Sequence, residues 1–453
     1  MKKSLTRITL FCLAFILIFS FVACSNNSEE QQTEEQVAEV KDFASELKLD
    51  MNTDSLKIEA TVHMFVDGDT THFNVPSNIV DDGVLKARYL AINTPESTGK
   101  IEEYGKAASE YTKKALSSAS SIILESDDSN LNPDSTGGRY LVWVWYKTEQ
   151  NSEYRNLNLE ILQNGLAIAS SSANNRYGDV CMDAIAQAKT QKLNVYSGKP
   201  DPDFYYGDAI ELTLKELRCN VADYNGIKVA FEGVITKNNA NTVFIEEYDP
   251  ETDMYYGISV YYGYGLSGEG LDILSVGNRS RIVGTVQYYE AGGTYQVSGL
   301  TYRQMKPKDP GNIQKISDGH SPAFPLTSPD TFVNGKVDIQ LEDNTKTFDY
   351  AYLAMNTSLI MENLEVVSVY TTTDEESSSF GAMTLNCIVD GIEVSVRTVV
   401  LLDSDGNLVT ADAYEGKTID VKGLVDYFDG KYQIKVFSAK DITIKNNKLR
   451  SLT

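Results

Sequence analysis

Histidine is almost missing from this chain, with three in 453 residues. His63 and His72 alternate with apolar residues, and His320 stands in a proline-rich stretch. None has ligand-type neighbours at the spacing a zinc or catalytic centre uses, so all three are expected at the surface. Cysteine is also scarce. Of the five, Cys12 and Cys24 fall in the first 24 residues, leaving Cys181, Cys219 and Cys387. An odd number leaves at least one thiol unpaired. Buried free thiols are expected, with a Cys181–Cys219 bridge as the alternative. Positive charge is short: 40 Lys and Arg face 64 Asp and Glu, a net charge of −24. That excludes polynucleotide affinity from a broad basic surface, because such affinity comes largely from neutralising phosphates. Any nucleic-acid chemistry must use a local cationic site together with a metal.

What is present divides into segments. Lys2, Lys3 and Arg7 precede a short apolar run from Ile8 to Val22. That run is too short and too early for a spanning helix, and residues 1–23 are read as a targeting segment. Their removal takes away three cations and no anions, which makes the net charge −27. Phe21-Val22-Ala23-Cys24 resembles a bacterial lipobox, with Phe21 where Leu is usual. It implies a lipid on Cys24 that holds the protein on the outer face of the membrane. Each buried methylene of such a chain contributes roughly 0.8 kcal/mol. The alternative is an ordinary secretory signal followed by a chance cysteine.

Residues 24–55 are rich in Ser, Asn, Glu and Gln and read as a flexible tether, with a short helix near Val40–Leu47. Residues 56–198 form a first domain. Alternation predicts strands at 58–66, 70–75, 84–92, 121–125 and 140–146, and helical spacing predicts helices at 104–117, 156–164 and 181–193. Residues 199–208 and 305–325 have linker composition, the latter with Pro307, Pro310, Pro322 and Pro325. Residues 209–304 and 326–445 are short alternating runs, expected as two β-domains. They share a repeat. Gly277 and Gly284 are followed by Tyr288-Tyr289 and Tyr295-Gln296-Val297; Gly416 and Gly423 are followed by Tyr427-Phe428 and Tyr432-Gln433-Ile434. Glycine-bounded strands running into tyrosine-bearing hairpins are expected of small barrels.

The chemistry concentrates in one stretch, Arg88 to Glu96. Leu90 and Ile92 give a half-buried strand, and Asn93-Thr94-Pro95 breaks it. Pro95 fixes its own φ and restricts Thr94, so the turn is rigid. Upstream, Asp67-Gly68-Asp69-Thr70 ends another strand; downstream, Gly137-Gly138-Arg139 opens a third. Two carboxylates, a turn acid and two arginines suit the holding of a divalent cation and a phosphate.

These residues resemble the staphylococcal nuclease (thermonuclease) family over about Ile58 to Ser197. The likeness includes Val66 to Thr70, Arg88 to Glu96, Tyr104 to Lys114, Asp134 to Arg139, Asn158 to Ala167 and Ala184 to Tyr196, in the family's order. It implies an α+β, mainly β architecture: a nuclease-type OB barrel with three helices, followed by two all-β OB-like barrels. It implies Ca²⁺ as cofactor, with Asp69, Asn93 and the Thr94 carbonyl as oxygen ligands and Asp67 in support. It implies Glu96 as general base and Arg88 and Arg139 on the phosphate of DNA or RNA.

Two departures bear on activity. Asn93 stands where the family usually has Asp, which removes a negative charge from the cation site and predicts weaker metal binding. The family's base-stacking aromatics fall where this chain has Ser170-Ser171-Ser172-Ala173. Stacking contributes roughly 1–3 kcal/mol per base, so substrate grip is expected to be poorer or differently placed. The rival reading makes the acids and arginines an ion-pair network in a retired enzyme. The barrels would then bind a cell-wall polymer or a protein. Tyr248, Tyr255, Tyr256, Tyr261, Tyr262 and Tyr264 do not point to nucleic acid: residues 238–278 hold seven acids and no Lys or Arg. Core and cross-strand roles are expected for them.

Overall fold

The computed structural model describes residues 40–136, 138–341, 344–374, 377 and 379–445. The targeting segment with Cys12, the lipobox with Cys24, most of the expected tether, and Gly137 lie outside the described residues.

Three five-stranded barrels follow one another along the chain, each closed on itself. The five strands of the first are β1 (Lys57–Asp67), β2 (Thr70–Asn74), β3 (Val84–Tyr89), β5 (Ser121–Glu125) and β6 (Tyr140–Lys147); the two-residue β4 (Ile92–Asn93) pairs outside the barrel. A parallel pairing of β3 with β6 closes it. Helices α1 (Phe43–Glu46), α2 (Gly105–Ser117), α3 (Leu157–Gln163) and α4 (Gly178–Thr190) accompany it, with the short strands β7 (Arg155–Asn156) and β8 (Ile168–Ala169). Its core centres on Trp143, Trp145, Phe73 and Leu85, all fully buried.

The five strands of the second are β10 (Lys228–Asn239), β11 (Thr242–Asp249), β12 (Met254–Tyr261), β13 (Arg279–Tyr289) and β14 (Thr294–Ser298), with the short β9 (Ile210–Glu211) added to β10 and β15 (Gln314–Ser317) to β13. The third begins with a hairpin, β16 (Lys336–Gln340) and β17 (Thr345–Asp349). Its five barrel strands are β18 (Ser358–Thr371), β19 (Met383–Val389), β20 (Ile392–Thr398), β21 (Thr418–Phe428) and β22 (Lys431–Val436), with β23 (Ile442–Ile444) added to β21 and the hairpin a separate sheet. In every barrel the third barrel strand runs parallel to the fifth, and the fourth lies between the fifth and the first. One connectivity is used three times, including in the first barrel, where no sequence repeat signals it.

The repeated glycines have a physical reason. Gly277 and Gly416 take φ of +89° and +71°, a left-handed turn just before the fourth strand. Seven residues on, the fifth strand presses against the fourth. A Cβ on Gly284 would meet the Ser298 carbonyl at 2.6 Å, and one on Gly423 the Lys435 carbonyl at 2.7 Å. The tyrosines then pair across the hairpins, Tyr288 with Tyr295 at 5.0 Å and Tyr427 with Tyr432 at 5.1 Å between ring centroids. Tyr248 pairs with Tyr255 and Tyr256 is buried in the core, whereas Tyr264 is exposed.

Several expectations need correction. The chain joins the fold before residue 56: Phe43 and Ala44 are buried, and Asp42 accepts from both terminal nitrogens of Arg155 at 2.8 and 3.0 Å. The stretch 305–325 is not a loose linker, because Ile313 enters the core and β15 pairs with β13. Asp201, in the other expected linker, is buried and accepts from the Tyr104 amide at 2.6 Å. Composition missed these because each segment is tied down by a few apolar or carboxylate anchors. Cys181, Cys219 and Cys387 are buried free thiols. Cys181 belongs to the first core and Cys219 to the one shared by the second and third barrels, so no bridge joins them.

Candidate functional site

The turn between β1 and β2 is built around Gly68. A Cβ there would lie 2.8 Å from the Ala108 Cβ and 2.9 Å from Thr94 side-chain atoms, so only glycine fits. The Gly68 carbonyl accepts from the Thr112 hydroxyl of α2 at 2.5 Å. This holds Asp67 and Asp69, both buried, at the mouth of the barrel. Strand pairing sets Thr70 opposite Arg88, which brings the β3 arginine beside Asp69.

Asp69 is fully engaged. One oxygen takes the Arg88 guanidinium and the Thr70 hydroxyl; the other accepts from the Thr94 amide at 2.8 Å. Arg88 also donates to the Asn93 side-chain oxygen at 2.5 Å. Asp67 accepts from Gly68, from the Ser97 amide at 3.2 Å and from the Ser97 hydroxyl at 2.7 Å. Glu96 is exposed as a residue, with its carboxyl close to that of Asp67. Its pKa is pushed up to about 7, first by burial and then by Asp67, against the pull of Arg88. Burial lowers the Arg88 pKa, and the neighbouring charge of Arg139 adds to that, while Glu96, Asp67 and Asp134 oppose it. Asp69 thus pairs directly with Arg88, and Glu96 and Arg139 lie near enough for their charges to act on the same guanidinium.

Arg139 is half-buried and forked onto Asp134, with its Nε and one terminal nitrogen each at 2.7 Å. Nothing in the sequence marks Asp134 as the partner of Arg139 five residues later. Asn158 was also overlooked as a support. Its fully buried amide donates to the carbonyls of Leu90 and Val142 and accepts from the Val144 amide, at 2.8, 3.2 and 2.9 Å. Ser170 and Ser172 bond the Ala91 carbonyl from the other side. Together these break the expected 84–92 strand at Ala91, which takes φ +69°, and turn Asn93 outward. The serines at 170–172 thus brace the turn and present no aromatic ring to a base.

The donors fit a hard cation in kind: the Asp69 carboxylate, the Asn93 amide oxygen and the Thr94 carbonyl are all oxygen. The Thr94 hydroxyl oxygen is buried without a hydrogen-bond partner, one more polar atom at the same corner. Among the described residues no three His, Cys, Asp or Glu side chains gather as a metal cage. A cation here must therefore rely on amide and carbonyl oxygens beside Asp69, and Arg88 already bridges Asp69 and Asn93.

The family model described as staphylococcal nuclease homologue matches residues 86–198. The thermonuclease of Staphylococcus intermedius is 31% identical over 141 residues, covering 30% of this chain and 74% of that protein.

Proposed function

Because the chain belongs to the staphylococcal nuclease family, we propose that it is a Ca²⁺-dependent phosphodiesterase that hydrolyses DNA or RNA at the cell surface. The observation that carries this reading is the clustering of charge around Arg88, which pairs with Asp69 and feels the charges of Glu96 and Arg139. Asp69, Asn93 and the Thr94 carbonyl would hold the ion. Bound calcium would supply Lewis-acid polarisation of a phosphoryl oxygen. Glu96 takes the proton of the attacking water, and the neighbouring Asp67 raises its proton affinity. Arg88 and Arg139 present planar, permanently charged forks to the phosphate, and Arg139 assists the leaving oxygen. Both forks are parked on carboxylates, Asp69 and Asp134, until a phosphate competes for them. Residues 1–23 and Cys24 support export and lipid attachment, which predicts that a Cys24→Ser protein takes up no labelled fatty acid.

The test uses the full chain and single-stranded DNA. Cleavage should require Ca²⁺ and stop with chelator. Glu96→Gln should lower kcat by about 10²–10⁴-fold while the circular dichroism spectrum stays unchanged. Equal rates in wild type and variant would assign the cuts to another protein. No cleavage at any calcium concentration favours the second reading, a binding lipoprotein with a retired site. Asn93 and the self-satisfied pairs Arg88–Asp69 and Arg139–Asp134 are the observations that favour it.

A further inference from the structure

The segment joining Glu96 to α2 is gripped from outside the family segment. Within the first barrel, Asp67 takes Ser97, and Glu102 accepts from the Glu96 amide at 3.2 Å while its own amide donates to the Glu96 carbonyl at 2.8 Å. The tip of the loop is held by the second barrel. The Gly99 amide donates to the Gln287 side-chain oxygen at 3.1 Å. The Gly99 carbonyl accepts from the Gln287 side-chain nitrogen at 3.1 Å and from the Ser298 hydroxyl at 3.0 Å. Gln287 lies on β13 and Ser298 on β14, and both are buried. The approach is close: a Cβ on Gly299, at φ +70°, would stand 3.1 Å from the Gly99 carbonyl oxygen. The turn after β13 also reaches α2, where Glu290 pairs with Lys113. The start of α2 abuts the same loop, since a Cβ on Gly105 would collide with the Glu96 carbonyl at 2.2 Å.

We propose that the β13–β14 hairpin is a positioning device for the catalytic loop, with Gln287 and Ser298 as positioning residues that act on Glu96 through Gly99. This rests on Glu96 being the base. A loop tip held by three hydrogen bonds cannot drift, and a carboxyl three residues away keeps its distance to Asp67 and to the attacking water. Displacement of a reacting group by about 1 Å costs on the order of 10²-fold in rate. Ordinary barrel packing needs no such bidentate grip on one glycine, and Gln287 satisfies both its amide and its carbonyl there. The family match ends at residue 198, so the device comes from chain outside the matched segment.

The experiment compares full-length wild type, Gln287→Leu, Ser298→Ala and Ser298→Thr. For Gln287→Leu we expect kcat on a single-stranded oligonucleotide to fall about tenfold to a hundredfold. KM and the thermal midpoint should change little, and amide exchange over 97–102 should accelerate. Ser298→Ala should fall less, and Ser298→Thr, which keeps the hydroxyl, should restore the rate. Wild-type kcat and wild-type loop exchange in Gln287→Leu overturn the proposal. So does a fall in kcat that merely tracks a lower thermal midpoint, with exchange at 97–102 unchanged. The exchange measurement needs no catalysis, so it decides the clamp even if Glu96→Gln shows that Glu96 is not the base.

Discussion

In the proposed cation site, Asn93 would set how strongly an ion is held. Its side-chain oxygen accepts from Arg88 and carries no charge to oppose the guanidinium's pull on Asp69. Calcium affinity rises with the number of charged ligands. Asn93→Asp should therefore tighten calcium binding by about tenfold or more, read by titration calorimetry, and raise cleavage at limiting calcium. Unchanged affinity would mean that residue 93 is not a ligand. The departure at 93 was readable from the chain alone, because Arg88, Thr94, Pro95 and Glu96 around it keep the family's pattern. The parking of Arg139 on Asp134 was not, because a five-residue separation across a loop carries no contact information until the loop is folded.

At the scale of elements, the site is a set of turns held by buried amides and glycines. Alternation and short apolar runs showed where β1, β2, β5 and β6 lie, the last two being buried on consecutive residues. It could not show the break at Ala91. That break depends on Asn158, more than sixty residues later, taking the Leu90 carbonyl. Asn158→Ala would leave two carbonyls and one amide without this partner inside the barrel. Each buried unsatisfied group costs about 1–3 kcal/mol, so the urea midpoint should fall by at least about 2 kcal/mol of stability. Cleavage should fall with it as the Asn93 turn loosens. A variant with wild-type stability would show that water replaces the amide fully. The α4 helix starts at Gly178, earlier than the pattern at 181–193 indicated, and ends at Thr190. Gly178 is needed there because a Cβ would meet the Ala173 carbonyl at 2.6 Å.

At the scale of the molecule, the second and third barrels share one continuous core. Arg218 of the helix Leu214–Cys219 is buried, donates to the Tyr352 carbonyl at 2.8 Å and lies over the Tyr352 ring. Glu246 of β11 is also buried. It accepts from the Ala323 amide at 2.9 Å, the Ser358 amide at 2.7 Å and the Ser358 hydroxyl at 2.9 Å. Burial raises its pKa above the ordinary carboxylate value in spite of these donors. A raised acid pKa means the folded state binds the proton more tightly than the unfolded chain. Its penalty is absent below the unfolded pKa and grows as pH rises through the folded one. Glu246→Gln should lose about 1–3 kcal/mol, because an amide group faces a backbone donor. Its stability relative to wild type should improve as pH rises across that window. Denaturant melts of both proteins over mildly acidic to neutral pH check this, and parallel curves would remove Glu246 as the cause.

Taken alone, the order of residues determined the barrels, the family and the identity of the site's acids and arginines. These are written in local alternation, rigid turns and short motifs, each legible within a few residues. The partnerships were decided only by the tertiary structure: Arg88 across Asp69 and Asn93, Asn158 beneath the turn, Gln287 and Ser298 on Gly99, Glu246 between the last two barrels. Those contacts join residues far apart in the chain. A buried hydrogen bond depends on distance and direction in space, and local sequence pattern carries neither.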